Sequence, residues 1–80
     1  MMIGQIHPTG VAHTMEVHAA ADGMTVYTTH HGHKIRVATI PHHGDTVWDN
    51  GWGADDPAFR TAVAEAVTEL TGRVVRGCDG

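Results

Sequence analysis

The chain contains no serine and only one cysteine, and each shortage excludes a class of function. Without serine there is no serine nucleophile, and the lone Cys78 can form neither an intrachain disulfide nor a two-cysteine metal site. Small domains without disulfides are typical of reducing compartments, so we expect a cytoplasmic protein. Two tryptophans, one tyrosine and one phenylalanine in 80 residues allow only a small core and a single compact domain, residues 1–80.

Positive charge is also scarce, with 5 Lys and Arg residues against 9 Asp and Glu residues and a formal net charge of −4. This balance argues against direct nucleic-acid binding and favours another protein with a basic surface as the partner. The first ten residues, MMIGQIHPTG, have neither a basic start nor a long apolar run. We therefore expect no signal peptide and no membrane partner.

Two short turn signals divide the first half of the chain into three strands. Residues 11–20 alternate between apolar and polar side chains, as half-buried strands do. Asp22-Gly23 and His31-Gly32 are suited to two-residue hairpin turns, and the segments after them alternate as well. We therefore predict a three-stranded antiparallel meander with its apolar residues on one face. The expected facing pairs are Ala19 with Val26, Val26 with Val37, and Met15 with His30.

A helix is predicted over residues 57–71. Asp55 or Asp56 can cap it, Pro57 suits the first helical position, and Gly72 can end it. Packed on the meander, this amphipathic helix would complete an α+β fold. Its apolar side chains recur at helical spacing and comprise Phe59, Val63, Ala66, Val67 and Leu70.

The remaining segments are less regular. Residues 41–56 are rich in glycine, aspartate and proline and are predicted to form a long connection. Residues 1–6 and the pair Val74-Val75 are candidates for short additional edge strands. An exposed edge of this kind could also join two copies of the chain into a homodimer.

Three of the eight histidines are candidate metal ligands. The predicted register places His30 opposite His33, with His13 on the same face at the same end of the sheet. Neutral imidazoles bind Zn²⁺ and other transition metals, and three of them leave a fourth coordination position open. The alternative is that these histidines are solvated side chains at the rim of the sheet.

The polar face of the predicted sheet is a candidate partner-binding surface. His18, Tyr27 and Arg36 are expected to form a ladder across the three strands, beside Glu16 and Lys34. Tyrosine and arginine are enriched at binding hot spots, which makes Tyr27 and Arg36 candidate contact residues. The alternative is an ordinary solvated face stabilised by cross-strand pairs.

The segment before the helix combines both tryptophans with several acidic residues. Tryptophan anchors many interfaces, and nearby carboxylates steer a loop towards a basic partner. The alternative is that at least one tryptophan seals the gap between sheet and helix. The candidate contact residues are Trp48, Asp49, Asn50, Trp52 and Asp55.

No arrangement of residues indicates catalysis, so we predict a non-enzymatic protein-binding module without a cofactor. In size, acidity and architecture the chain is similar to the small inhibitors carried by phages and mobile elements, including anti-CRISPR proteins. That resemblance implies an inhibitor, and the residues indicate that it would act through its acidic tryptophan loop and a sheet face. Two alternatives are a histidine-based metal-binding protein and a module whose interface changes when histidines are protonated between about pH 5 and 7.

Overall fold

The computed structural model describes residues 1–49 and 56–75. It confirms the α+β prediction, with an antiparallel meander followed by one helix. The sheet has five strands in the order β1-β2-β3-β4-β5, so each strand pairs with its neighbours in the chain. The elements are β1 (Met2–Ile6), β2 (Met15–Ala20), β3 (Gly23–His30), β4 (His33–Pro41), β5 (Val47–Trp48) and α1 (Pro57–Thr71).

In the first hairpin, the pairing of β2 with β3 is shifted by two residues from the predicted register. Ala20 pairs with Gly23, which makes Ala21-Asp22 the turn. A Cβ atom on Gly23 would lie 2.0 Å from the carbonyl oxygen of Ile40, so this glycine serves close packing against β4. The predicted facing of Ala19 with Val26 and of Met15 with His30 was therefore wrong. A two-residue shift nevertheless keeps every side chain on its predicted face. The observed partners are Val17 for Val26 and Thr28 for Met15.

The second hairpin keeps its predicted register only as far as a β-bulge. His31 and Gly32 both have positive φ, 50° and 78°, and form the predicted two-residue turn. His30 pairs with His33 across it, and Tyr27 pairs with Arg36. Beyond Tyr27 the register shifts by one residue, so Val26 faces Ala38 and the predicted pairing with Val37 was wrong.

Two short strands extend the meander. The first, β1, was expected from residues 1–6, and its Gly4 has no side chain where the side chain of Leu70 approaches. The second, β5, arises inside the segment predicted to be an irregular connection. Val74 and Val75 lie outside the strands; the Val75 N–H donates to Thr68 Oγ1 at 3.0 Å.

The helix begins and ends at the predicted residues. The Asp56 side chain accepts a hydrogen bond of 2.9 Å from the Ala58 N–H, which satisfies one donor of the first turn. Gly72, in the left-handed conformation with φ 72°, donates its N–H to the Thr68 carbonyl at 2.7 Å. Among the described residues, no helix combines the length and the apolar character that a membrane span requires.

The core lies between one face of the sheet and α1. Thr28 is buried there as well, and its hydroxyl donates to the Thr14 carbonyl at 3.3 Å. The opposite face of the sheet carries polar and charged side chains. The buried apolar residues are Ile6, Met15, Val17, Met24, Val26, Val37, Ala38, Ile40, Val63, Ala64 and Val67.

Candidate functional site: the open face of the sheet

The sheet register places several polar and charged side chains together on the face of the sheet that α1 does not cover. Glu16 pairs with Tyr27 across β2 and β3, and Tyr27 pairs with Arg36 across β3 and β4. Tyr27 is therefore the middle residue of a row that crosses three strands. The predicted place of His18 in this row was wrong, because the shifted register pairs His18 with Thr25. We call this surface the open face and define it by Glu16, His18, Tyr27, Lys34, Arg36 and Asp49.

Glu16 is the electrostatic centre of one half of the open face. Its Oε1 atom accepts a 2.8 Å hydrogen bond from His18 Nε2 and lies 3.4 Å from Lys34 Nζ. The hydrogen bond from His18, helped by the charge of Lys34, holds the pKa of Glu16 below its ordinary value, although partial burial opposes this. Glu16 thus stays ionised at neutral pH, with both contacts on the same oxygen.

The Tyr27 ring is held from two sides. His18 meets it edge-on with ring centroids 5.3 Å apart, and Lys34 Nζ lies 5.6 Å from the ring centroid. The first contact is a favourable aromatic geometry, and the second is a cation–π interaction. Tyr27 is half-buried, so its ring is positioned while part of it remains accessible.

Arg36 and Asp49 form a two-pronged ion pair in the other half of the open face. Arg36 Nε donates to Asp49 Oδ2 and Arg36 Nη2 donates to Asp49 Oδ1, both at 3.1 Å. This pairing raises the pKa of Arg36. The Asp49 N–H also donates to the Val37 carbonyl at 3.0 Å. Arg36 thus offsets the negative charge of Asp49, and the predicted role of Asp49 in steering a basic partner stays a prediction.

The acidic tryptophan loop is only partly described. The Trp48 indole packs against the hydrophobic core, and its ring centroid lies 6.3 Å from that of Phe59. This packing matches the alternative in which a tryptophan seals sheet against helix. Asn50, Trp52 and Asp55 lie outside the described residues, and their predicted partner contacts remain predictions.

The candidate metal ligands are brought together only in part. The rings of His13 and His30 are in edge contact with centroids 6.0 Å apart, and His33 pairs with His30 through the backbone. Within residues 1–49 and 56–75, no group of three His, Cys, Asp or Glu side chains could hold a metal ion. A metal site built from these histidines thus stays a prediction to which the described geometry adds no support.

A shallow pocket of about 300 Å³ adjoins Tyr27. It is lined by Gln5, Glu16, Tyr27 and Thr29 and by residues 12–14 of the loop before β2. The sequence pattern did not indicate this concavity, because it depends on how residues 12–14 lie against the sheet. The Arg36–Asp49 pair was missed as well, since it requires β5; its only sequence signal is the carboxylate directly after the Val47-Trp48 pair.

Comparisons with protein-family models, with curated proteins and with solved structures found no match. The geometry of the open face is therefore the main indication of what this chain binds.

Proposed function

We propose that this chain is a non-enzymatic protein-binding domain whose open face binds a basic surface of another protein. The observation that carries the proposal is the placement of Tyr27, positioned by His18 and Lys34 at the edge of the pocket beside Glu16. A tyrosine in this setting offers contact area at low entropic cost, because its neighbours already restrict the ring.

The pocket indicates which partner side chain would enter it. His18 and Lys34 both contact Oε1 of Glu16, so neither contact occupies Oε2. A lysine or arginine of the partner that entered the pocket would meet both Glu16 and Tyr27, since both residues line it. Charge pairing and a cation–π contact would then act on the same group.

The rest of the open face would contribute selectivity more than affinity. Arg36 and Asp49 compensate each other, so the half of the face around them presents little net charge. An acidic side chain of the partner placed beside Glu16 would be disfavoured by like-charge repulsion, which the charge of Lys34 next to Glu16 only partly offsets. The chain's formal net charge of −4 would favour encounter with basic surfaces over longer distances.

A small acidic binding domain of this kind is well suited to act as an inhibitor in the cytoplasm. Size, acidity and architecture support a role similar to that of the inhibitors carried by phages and mobile elements, anti-CRISPR proteins among them. Such an inhibitor needs no catalytic activity, because it can block its target by occupying a basic functional surface. The expected target is a protein with an exposed Lys or Arg beside a surface that fits the open face.

The test is quantitative capture of partner protein by immobilised wild-type and variant chains. Tyr27→Ala is expected to weaken binding by about thirtyfold, the effect of a hot-spot residue worth about 2 kcal/mol. Glu65→Gln, an exposed change on α1, is the matched control and should leave binding unaltered. Circular dichroism verifies that each variant is folded. Equal binding by wild type and folded Tyr27→Ala would contradict the proposal, as would the absence of any captured protein.

A further inference from the structure

The connection between β4 and β5, residues 42–46, is tied to the end of the helix by one side chain. Arg73, which follows α1, donates from Nη2 to the Pro41 carbonyl at 2.9 Å and also to the His42 carbonyl. Its Nη1 atom lies 3.3 Å from Nδ1 of His42. These partners are far from Arg73 in the chain, so the guanidinium joins the start of the connection to the segment after the helix.

The contact between Arg73 and the His42 ring requires one protonation state of the ring. A guanidinium only donates hydrogen bonds, so Nδ1 of His42 must accept and must carry no proton. A protonated ring would present an N–H at this position and a second positive charge beside the permanently charged arginine. The observed contact therefore exists only while His42 is neutral.

The contacts of His7 and His18 do not have this restriction. His18 donates from Nε2 to Glu16, and a positive charge on the ring would strengthen that bond. Nδ1 of His7 lies 3.2 Å from the Thr14 hydroxyl, which can either donate or accept. Histidines generally change charge between about pH 5 and 8. Mild acid should therefore weaken the contact of His42 and leave these two in place.

The charged groups around His42 leave the expected repulsion largely uncompensated. Within residues 1–49 and 56–75, neither Arg73 nor His42 forms an ion pair with a carboxylate. Asp45 lines a surface pocket of about 430 Å³ together with both side chains, so its charge would offset part of the repulsion. Asp22 contributes its backbone carbonyl, which accepts the His42 N–H at 2.8 Å. The other titratable groups on the adjoining segments are His43 and Glu69, and Glu69 lines different pockets.

We propose that Arg73 and His42 form a pH-sensitive tether, which holds the β4–β5 connection to the end of the helix at neutral pH and loosens when His42 is protonated. Two like charges about 4 Å apart in water repel each other enough to change an equilibrium about fivefold. His42 is exposed and Arg73 is half-buried, so the effect is a loosening and not an unfolding. The connection leads into β5 and on to Asp49, the partner of Arg36 on the open face.

Amide hydrogen exchange measured by NMR tests the tether, with protection factors that remove the intrinsic pH dependence of exchange. The reporter is the His42 N–H, which is bonded to the Asp22 carbonyl at the start of the connection. In wild type its protection factor is expected to fall about fivefold between about pH 7.5 and 5.5.

Three variants assign the change to the tether. His42→Asn supplies an uncharged oxygen acceptor near the position of Nδ1 and should lose the pH response. His43→Asn, at the neighbouring exposed histidine, is the matched control and should respond as wild type does. Arg73→Gln removes the permanent charge, so the protection of residue 42 should be reduced at neutral pH and should no longer depend on pH.

The following results would overturn the proposal. Equal protection of His42 at both pH values in wild type would mean that the ring turns away when protonated and the two carbonyl bonds hold the connection alone. A response that persisted in His42→Asn or in Arg73→Gln, or that disappeared in His43→Asn, would assign it to another group. A parallel fall in the protection of the β3 amides would indicate general loosening of the sheet.

This inference does not depend on the proposed function, because it is measured on the chain alone. Tyr27→Ala should leave the pH response of the His42 amide unchanged, whether or not Tyr27 contacts a partner. The two proposals therefore fail separately.

Discussion

The covered face and the open face of the sheet are built from alternate residues of the same strands, yet they are held by different forces. On the covered face, Met15, Val17 and Val26 are completely inaccessible to solvent. On the open face, ion pairs join partly exposed groups; the side chain of Arg36, for example, is 58% exposed. Apolar burial contributes most of the folding free energy, whereas exposed ion pairs contribute little. Residues of the open face can therefore change with little loss of stability.

The sharpest test of this comparison is Met15→Ala on the covered face. The fully buried side chain would leave a cavity between sheet and helix, which should lower the free energy of unfolding by about 2–5 kcal/mol. Urea denaturation followed by circular dichroism measures the loss. Val47→Ala, at a mostly exposed position of β5, serves as the control and should cost much less. Similar losses for both would mean that the covered face is not the main source of stability.

A smaller effect is expected at the end of the helix that covers the sheet. Asp56→Ala removes the acceptor of the Ala58 N–H and should cost about 0.5–2 kcal/mol. Asp56→Asn retains an oxygen that can cap the helix and should recover most of that loss. Thermal unfolding at neutral pH compares the three chains. If Asp56→Asn were as unstable as Asp56→Ala, the contribution of Asp56 would not come from capping.

The smallest effect is expected on the open face and depends on pH. The pKa of Glu16 is lowered in the folded chain, so its contacts stabilise the fold at pH values above the ordinary value near 4.5. This contribution is lost as the pH falls through the lower, folded value. Wild type should therefore be slightly more stable than Glu16→Gln at pH 6, and the difference should be smaller at pH 3. Chemical denaturation at both values provides the measurement; a difference that persisted in acid would exclude this cause.

The two faces could be read from the sequence because strand periodicity of two decides which side chains are buried. The exact pairing of residues between strands could not be read from the sequence. Gly23 looked like a turn residue, although its role is to avoid a clash with the Ile40 carbonyl, a contact between segments far apart in the chain. The bulge opposite Val26 is likewise a property of two packed strands and of neither segment alone.

The candidate site likewise contains one contact that the sequence predicted and one that it could not predict. The alignment of Tyr27 with Arg36 followed from a local turn at His31-Gly32 and was predicted correctly. The bond between Arg36 and Asp49 depends on β5, whose two residues form a strand only because β4 already offers a paired edge. A two-residue strand carries too little periodicity to be recognised before its partner is known.

The sequential order of the strands also affects how the chain emerges from the ribosome. Each strand pairs with the one synthesised just before it, so the sheet can grow strand by strand without waiting for a distant segment. The helix that covers it, Pro57–Thr71, follows all five strands in the described part of the chain. During synthesis the apolar face is consequently complete before anything shields it. That interval is when nascent chains of this protein are most exposed to aggregation and to capture by chaperones.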